Sequence, residues 1–154
     1  MGNTKKIQAM LMNAIFEVFE KMFFVFFEPL DEDVKYDMIS SINFTGQLSG
    51  EIKVFFSIGL LETMVQNMLS VNQKDVTEKM MEDCAKEAAN MIGGNFLHKL
   101  DSSKVFELSI PMFTRTPGVF VTQVQNQSET AWNLSFESER NFMAVSVTTS
   151  TGGM

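Results

Sequence analysis

The chain has 154 residues, a formal charge of −7, 45% apolar residues and 20% charged ones. This length supports one domain with a sizeable core. The acidic balance argues against a nucleic-acid binder, which would present a basic face, and suits a partner that carries a basic patch. One cysteine excludes an internal disulfide framework and, beside thirteen methionines, fits a reducing cytoplasm.

At the N-terminus, Lys5 and Lys6 precede an apolar run from Ile7 to Phe16, which superficially resembles a signal peptide. Glu17, Glu20 and Lys21 interrupt that run and no small-residue cleavage site follows. It is also too short to span a bilayer, so a cytoplasmic protein without membrane contact is expected. Leu11, Ile15, Val18, Met22 and Phe26 recur at helical spacing and predict an amphipathic helix over 4–27, closed by Glu28-Pro29. The run Met22–Phe27 is too apolar for one helix face and suggests cover on more than one side, from the sheet and from another subunit.

Two strands are expected at about 34–45 and 50–58, joined by Gly46–Gly50; in the second, Ile52, Val54, Phe56 and Ile58 lie on one side and Glu51, Lys53 and Ser57 on the other. A short helix at about 59–69 leads to the longest helical pattern, roughly Asp75–Leu100, where Asp75 and Glu78 resemble a capping box. Beyond about 104 the period becomes two. Phe106–Ile110, Val119–Val121, Trp132–Phe136 and Met143–Val147 read as four strands, with turns at Thr116–Gly118, Asn126–Glu129 and Glu137–Arg140 and a loose tail at 151–154. The expected fold is a two-layer α+β domain, a largely antiparallel six-stranded sheet with two long helices on one face.

At a shift of 70 residues, Leu11, Ile15, Val18, Met22 and Phe26 align with Met81, Ala85, Ala88, Ile92 and Phe96. The match continues from Leu30-Asp31 to Leu100-Asp101 and from Tyr36-Asp-Met38 to Phe106-Glu-Leu108, which raises an internal duplication within the single domain 1–154, with degenerate halves at about 4–58 and 74–149.

Opposite the apolar stripe of the second long helix, Asp83, Glu87 and Asn90 fall within about 60° of one another, and Gly94 extends their line. A carboxamide donates and accepts hydrogen bonds at once and can orient a water; a neighbouring carboxylate can pair with a lysine on another molecule. These groups suit a positioning catalyst whose substrate brings its own electrophile. With one histidine, His98, a histidine-based metal cluster is excluded. No Ser-His-Asp or Cys-His arrangement has sequence support, and Gly93-Gly94 lies inside a helix rather than in a phosphate-cradling loop. Each mid-helix glycine costs up to roughly 1 kcal/mol against alanine, so a reason is expected: close approach of a partner's backbone at Gly94, packing at Gly93. Met80 and Met91 flank the row, Cys84 reads as a small buried hydrophobe, His98 as a cation at the helix C-terminus, and Glu17 and Glu20 as a solvated face on the first helix.

The pattern Asp83-x-x-x-Glu87-x-x-Asn90 followed by Gly93-Gly-Asn-Phe96 resembles the signature helix of the CheC/CheX/FliY chemotaxis phosphatase family. One intact motif in a chain of this length is most like the CheX branch; Glu17 and Glu20 would then be left from a lost second site. The resemblance implies two-component signalling chemistry: hydrolysis of the aspartyl phosphate of a CheY-like response regulator, carried out by a homodimer. Asn90 would place the attacking water, Glu87 would pair with the regulator's lysine and Asp83 would support docking, with Met80, Met91 and Gly94 beside it. No cofactor of its own is implied, and Mg2+ would belong to the regulator. Against the family's proline, Pro111 comes slightly early and Pro117 slightly late, and Pro111 is the better match. The alternatives are a non-catalytic CheC-like adaptor or flagellar-switch-type binding module, and a domain whose sheet holds a small ligand.

Overall fold

The structure, a computed structural model, describes residues 2–121 and 131–150. In chain order the elements are α1 (Gly2–Met22), β1 (Glu28–Leu30), β2 (Val34–Tyr36), β3 (Met38–Thr45), β4 (Ser49–Phe56) and α2 (Ile58–Leu69). After a 3-10 turn at Gln73–Asp75 come α3 (Glu78–Leu100), β5 (Glu107–Leu108), β6 (Met112–Thr114), β7 (Gly118–Phe120), β8 (Ala131–Ser138) and β9 (Asn141–Ser150).

The main sheet is antiparallel, in the order β1-β8-β9-β4-β3-β5, with β6 also on β3. It has seven strands rather than the expected six. The expected strand 34–45 breaks at Asp37, whose carboxylate accepts a hydrogen bond from Ile58 N at 2.8 Å at the start of α2. Its first part, β2, pairs with β7 in a separate ribbon, so the Val119–Val121 segment does not join the main sheet. The expected strand Phe106–Ile110 is also interrupted. β5 and β6 share one edge of β3, and Pro111 stands between them without an N–H to give to the ladder. The tight hairpin between β8 and β9 is as expected, with Glu139 and Arg140 both at positive φ. The expected turn at 126–129 and the tail at 151–154 lie outside the described residues.

The first helix stops five residues short of its expected end. Phe24 adopts a left-handed conformation (φ 55°), and Val25 N reaches back to Phe19 O at 2.9 Å, a Schellman-type closure. From there the chain is period two: Phe23, Val25 and Phe27 are buried, whereas Phe24 and Phe26 are 62% and 65% exposed. The apolar run is therefore an alternating segment, not a helix covered on two sides. The capping of α3 also differs. Asp75 closes the preceding 3-10 turn, and Thr77 is the N-cap, its hydroxyl accepting from Met80 N at 3.2 Å.

The two long helices lie side by side on one face of the sheet. α1 covers β8, with the Phe16 ring edge-on to Phe136 at 5.7 Å and Trp132 Nε1 donating to Thr4 O at 3.2 Å. α3 covers β3 and β4, and α2 packs beside it. On the other face, the β2–β7 ribbon covers Ala144, Phe55 and Phe142 with Val34, Tyr36 and Phe120. Glu17 is not a solvated remnant. It accepts hydrogen bonds from Asn95 Nδ2 at 3.0 Å and Lys99 Nζ at 3.1 Å, tying α1 to α3; Glu20 is exposed, as expected.

Candidate active site

The site is one edge of α3. The buried face of this helix is wider than the expected stripe: beside Met81, Ala85, Ala88, Ile92 and Phe96 it includes Cys84, Ala89, Gly93 and Leu97. Alanine or glycine at four of these positions, Ala85, Ala88, Ala89 and Gly93, lets the helix axis settle close to its neighbours. That fixes the rotation of the opposite edge, because turning the helix would expose this face.

On that edge Asp83 is exposed, Glu87 and Asn90 are half-buried and Gly94 is exposed. The structure thus brings the four together in the order expected. Among the described residues, neither the Asn90 carboxamide nor the Glu87 carboxylate has a hydrogen-bonding or ion-pair partner. Asp83 is paired one turn back with Lys79 at 3.1 Å, and Glu82 with Lys86 at 2.7 Å. The Asp83 carboxylate also raises the Lys79 ammonium above its ordinary pKa.

The two glycines differ. A Cβ on Gly94 would meet nothing within 4 Å, so the chain's own packing does not demand glycine there. A Cβ on Gly93 would touch Ile52, Leu108 and Ile42 at 3.6–3.7 Å, ordinary contact in a packed interface.

Met80 and Met91 are half-buried at the margins of the row. Pro111, also half-buried, lies in a segment that runs back along α3, since Leu108 stands at Gly93 and Arg115 pairs with Glu78. Cys84 is buried and its thiol is pushed up to about 12, first by burial and then by the carboxylates of Glu87 and Asp83. It stays protonated and inert near neutral pH. His98 is exposed in the last turn of α3, and among the described residues no three metal-ligating side chains cluster.

The contribution of α2 was not anticipated. Val65, Met68 and Leu69 of α2 face Met80, Asp83, Cys84 and Glu87 of α3 across a groove of about 290 Å³. The available signal was the apolar end of the short helix, with Met68 and Leu69 one turn beyond its buried residues. A larger open cleft, about 390 Å³, is lined by Phe24–Phe26, Glu28, Thr63, Asn67 and Glu137–Glu139 and shares no residue with α3. Its carboxylate rim does not make it an apolar ligand cavity.

A half-buried amide and carboxylate one turn apart, on a helix packed into the core and left free to bind outward, form an edge that can orient a water. The family model described as chemotaxis phosphatase CheX matches residues 38–136. The chain belongs to the CheX family. No curated protein sequence matches it. Among solved structures, it is similar to the chemotaxis protein CheX of Vibrio vulnificus, at 20% identity and a TM-score of 0.74, covering 91% of this chain and 93% of that one. CheX of Desulfovibrio desulfuricans gives 19% identity and a TM-score of 0.74 over 94% of this chain and 99% of that one. CheX of Borrelia burgdorferi, in a complex with CheY, BeF3 and Mg2+, gives 17% identity and a TM-score of 0.68 over 92% and 96%. No helix among the described residues is long and apolar enough to cross a membrane.

Proposed function

We propose that this chain hydrolyses the aspartyl phosphate of a CheY-like response regulator. Asn90 holds a water in line with the phosphorus. The water oxygen forms the new bond to phosphorus as the bond to the aspartyl oxygen breaks, leaving a carboxylate and inorganic phosphate. Glu87 pairs with the regulator's lysine and so sets Asn90 over the phosphoryl group. Asp83, Met80, Met91, Gly94 and Pro111 form the surrounding docking surface. The Mg2+ belongs to the regulator, where it neutralises phosphoryl oxygens; this chain contributes positioning, the dominant requirement of phosphoryl transfer.

The observation that carries this reading is the Glu87–Asn90 pair. Both groups are half-buried and without partners among the described residues, on a helix whose other face is locked into the core. A water-orienting amide that already served another side chain would have to break that bond first. The family match, and the CheY-bound state of the Borrelia burgdorferi relative, support the class of partner. A homodimer belongs to the same proposal and is tested by light scattering of the purified chain.

The test is phosphate loss from a panel of acyl-phosphorylated regulators with the wild-type chain and with Asn90→Ala. Acceleration that disappears in the variant, with its fold retained, supports hydrolysis. Binding without acceleration by the wild type would instead identify an adaptor.

A further inference from the structure

The groove between α2 and α3 opens beside Glu87, on the same side of α3 as Asp83. Its walls are Met68 and Leu69, 39% and 49% exposed, with half-buried Met80 opposite. The floor includes Cys84, whose thiol stays neutral because burial disfavours its ionisation. Its volume is about 290 Å³, enough for one large side chain. Methionine walls adapt to the shape of what enters.

The ionisable rim groups that line the groove are the carboxylates of Asp83 and Glu87. In the free chain, Asp83 already holds a lysine ammonium, that of Lys79, in a pair exposed on both sides. An exposed pair of this kind contributes little to stability, so a partner's cation can replace Lys79 at small cost.

We propose that this groove seats one large apolar side chain of the phosphorylated regulator, with a neighbouring basic side chain of that partner on Asp83. This rests on the proposed function and adds to it a second anchor, whose Asp83 lies about two turns of α3 from Asn90. The apolar anchor supplies affinity through desolvation, and the cation fixes its register. Glu87 serves both ends, as the groove's rim and as the neighbour of Asn90. The anchor lies outside the reacting centre, so it acts on binding and leaves the chemical step unchanged.

The experiment uses Met68→Lys and Leu69→Lys, which place an ammonium in the groove at exposed positions, with Gln47→Lys, an exposed change on the β3–β4 turn, as the control. Two quantities are read: kcat and KM for the phosphorylated regulator, and Kd for the regulator carrying Mg2+ and beryllofluoride, a phosphoryl mimic that is not hydrolysed. The groove variants should raise KM and Kd about tenfold or more, with kcat at saturation within about twofold of wild type. Met68→Leu should keep wild-type affinity, and Gln47→Lys should change neither quantity.

A Kd within about twofold of wild type for both lysine variants, each with unchanged thermal unfolding, would overturn the anchor. Loss of self-association in those variants, with Kd for the regulator kept, would assign the groove to a second copy instead. If the wild-type chain hydrolyses and Asn90→Ala does not, but the groove variants bind normally, the anchor alone fails. If the wild type neither binds nor hydrolyses, the anchor fails together with the phosphatase reading.

Discussion

Glu17 of α1 and Lys99 of α3 meet at 3.1 Å, and Asn95 donates to the other oxygen of the same carboxylate at 3.0 Å. These contacts join the two long helices beyond their apolar seam. The Asn95 hydrogen bond first, and then that of Lys99, hold the Glu17 carboxyl below its ordinary value of 4.5. A carboxyl with a lowered folded pKa adds stability that is fully present above the unfolded value and is lost as pH falls through the folded one. The contribution is therefore intact at neutral pH and fades below about 4.5. The carboxylate is 42% exposed and screened by solvent, so Glu17→Ala should cost no more than about 1 kcal/mol. Urea unfolding at pH 7 and pH 3 measures this: the difference between wild type and variant should shrink at the lower pH.

Gly94 separates stability from function. Its Cβ position is empty, so Gly94→Ala should stabilise α3 by about 0.5–1 kcal/mol through helix propensity alone. If a partner's backbone approaches there, the same methyl obstructs docking. The variant is expected to melt at a higher temperature and yet show a higher KM for the phosphorylated regulator. Gly93→Ala, which makes only ordinary contacts in the free chain, is expected to leave KM unchanged.

Ser40, on the inner face of β3, is fully buried, and its hydroxyl has no hydrogen-bond partner among the described residues. Such a group retains its desolvation penalty without compensation. Ser40→Ala should therefore stabilise the fold by about 1 kcal/mol, read as a raised urea midpoint with an unchanged slope.

The helix proposed to carry the site was legible because its period and its chemistry coincide. Met81, Ala85, Ala88, Ile92 and Phe96 mark one face, which leaves Asp83, Glu87 and Asn90 on the other, and the structure keeps that division. The alternating strands β4, β8 and β9 were legible for the same reason. What escaped were elements set by long-range pairing. β1 and β6 have three residues each, too few to show a period, and exist because β8 and β3 offer free edges to them. The end of α1 was misplaced because Met22–Phe27 satisfies a helical and an alternating pattern over so short a run; closure at Phe19 decides between them. The groove escaped because it needs two helices: neither Met68 on α2 nor Met80 on α3 signals it alone.

The most direct measurement for the central claim is the rate of phosphate loss from a phosphorylated CheY-like regulator with Asn90→Ala, set beside Kd for the same regulator carrying beryllofluoride and Mg2+. Removing one preorganised transition-state contact commonly costs about 10²–10³ in rate. The variant should lose at least about 100-fold of the acceleration, with unfolding and Kd close to wild type. Hydrolysis by Asn90→Ala at the wild-type rate would contradict the assignment of this helix edge as the active site.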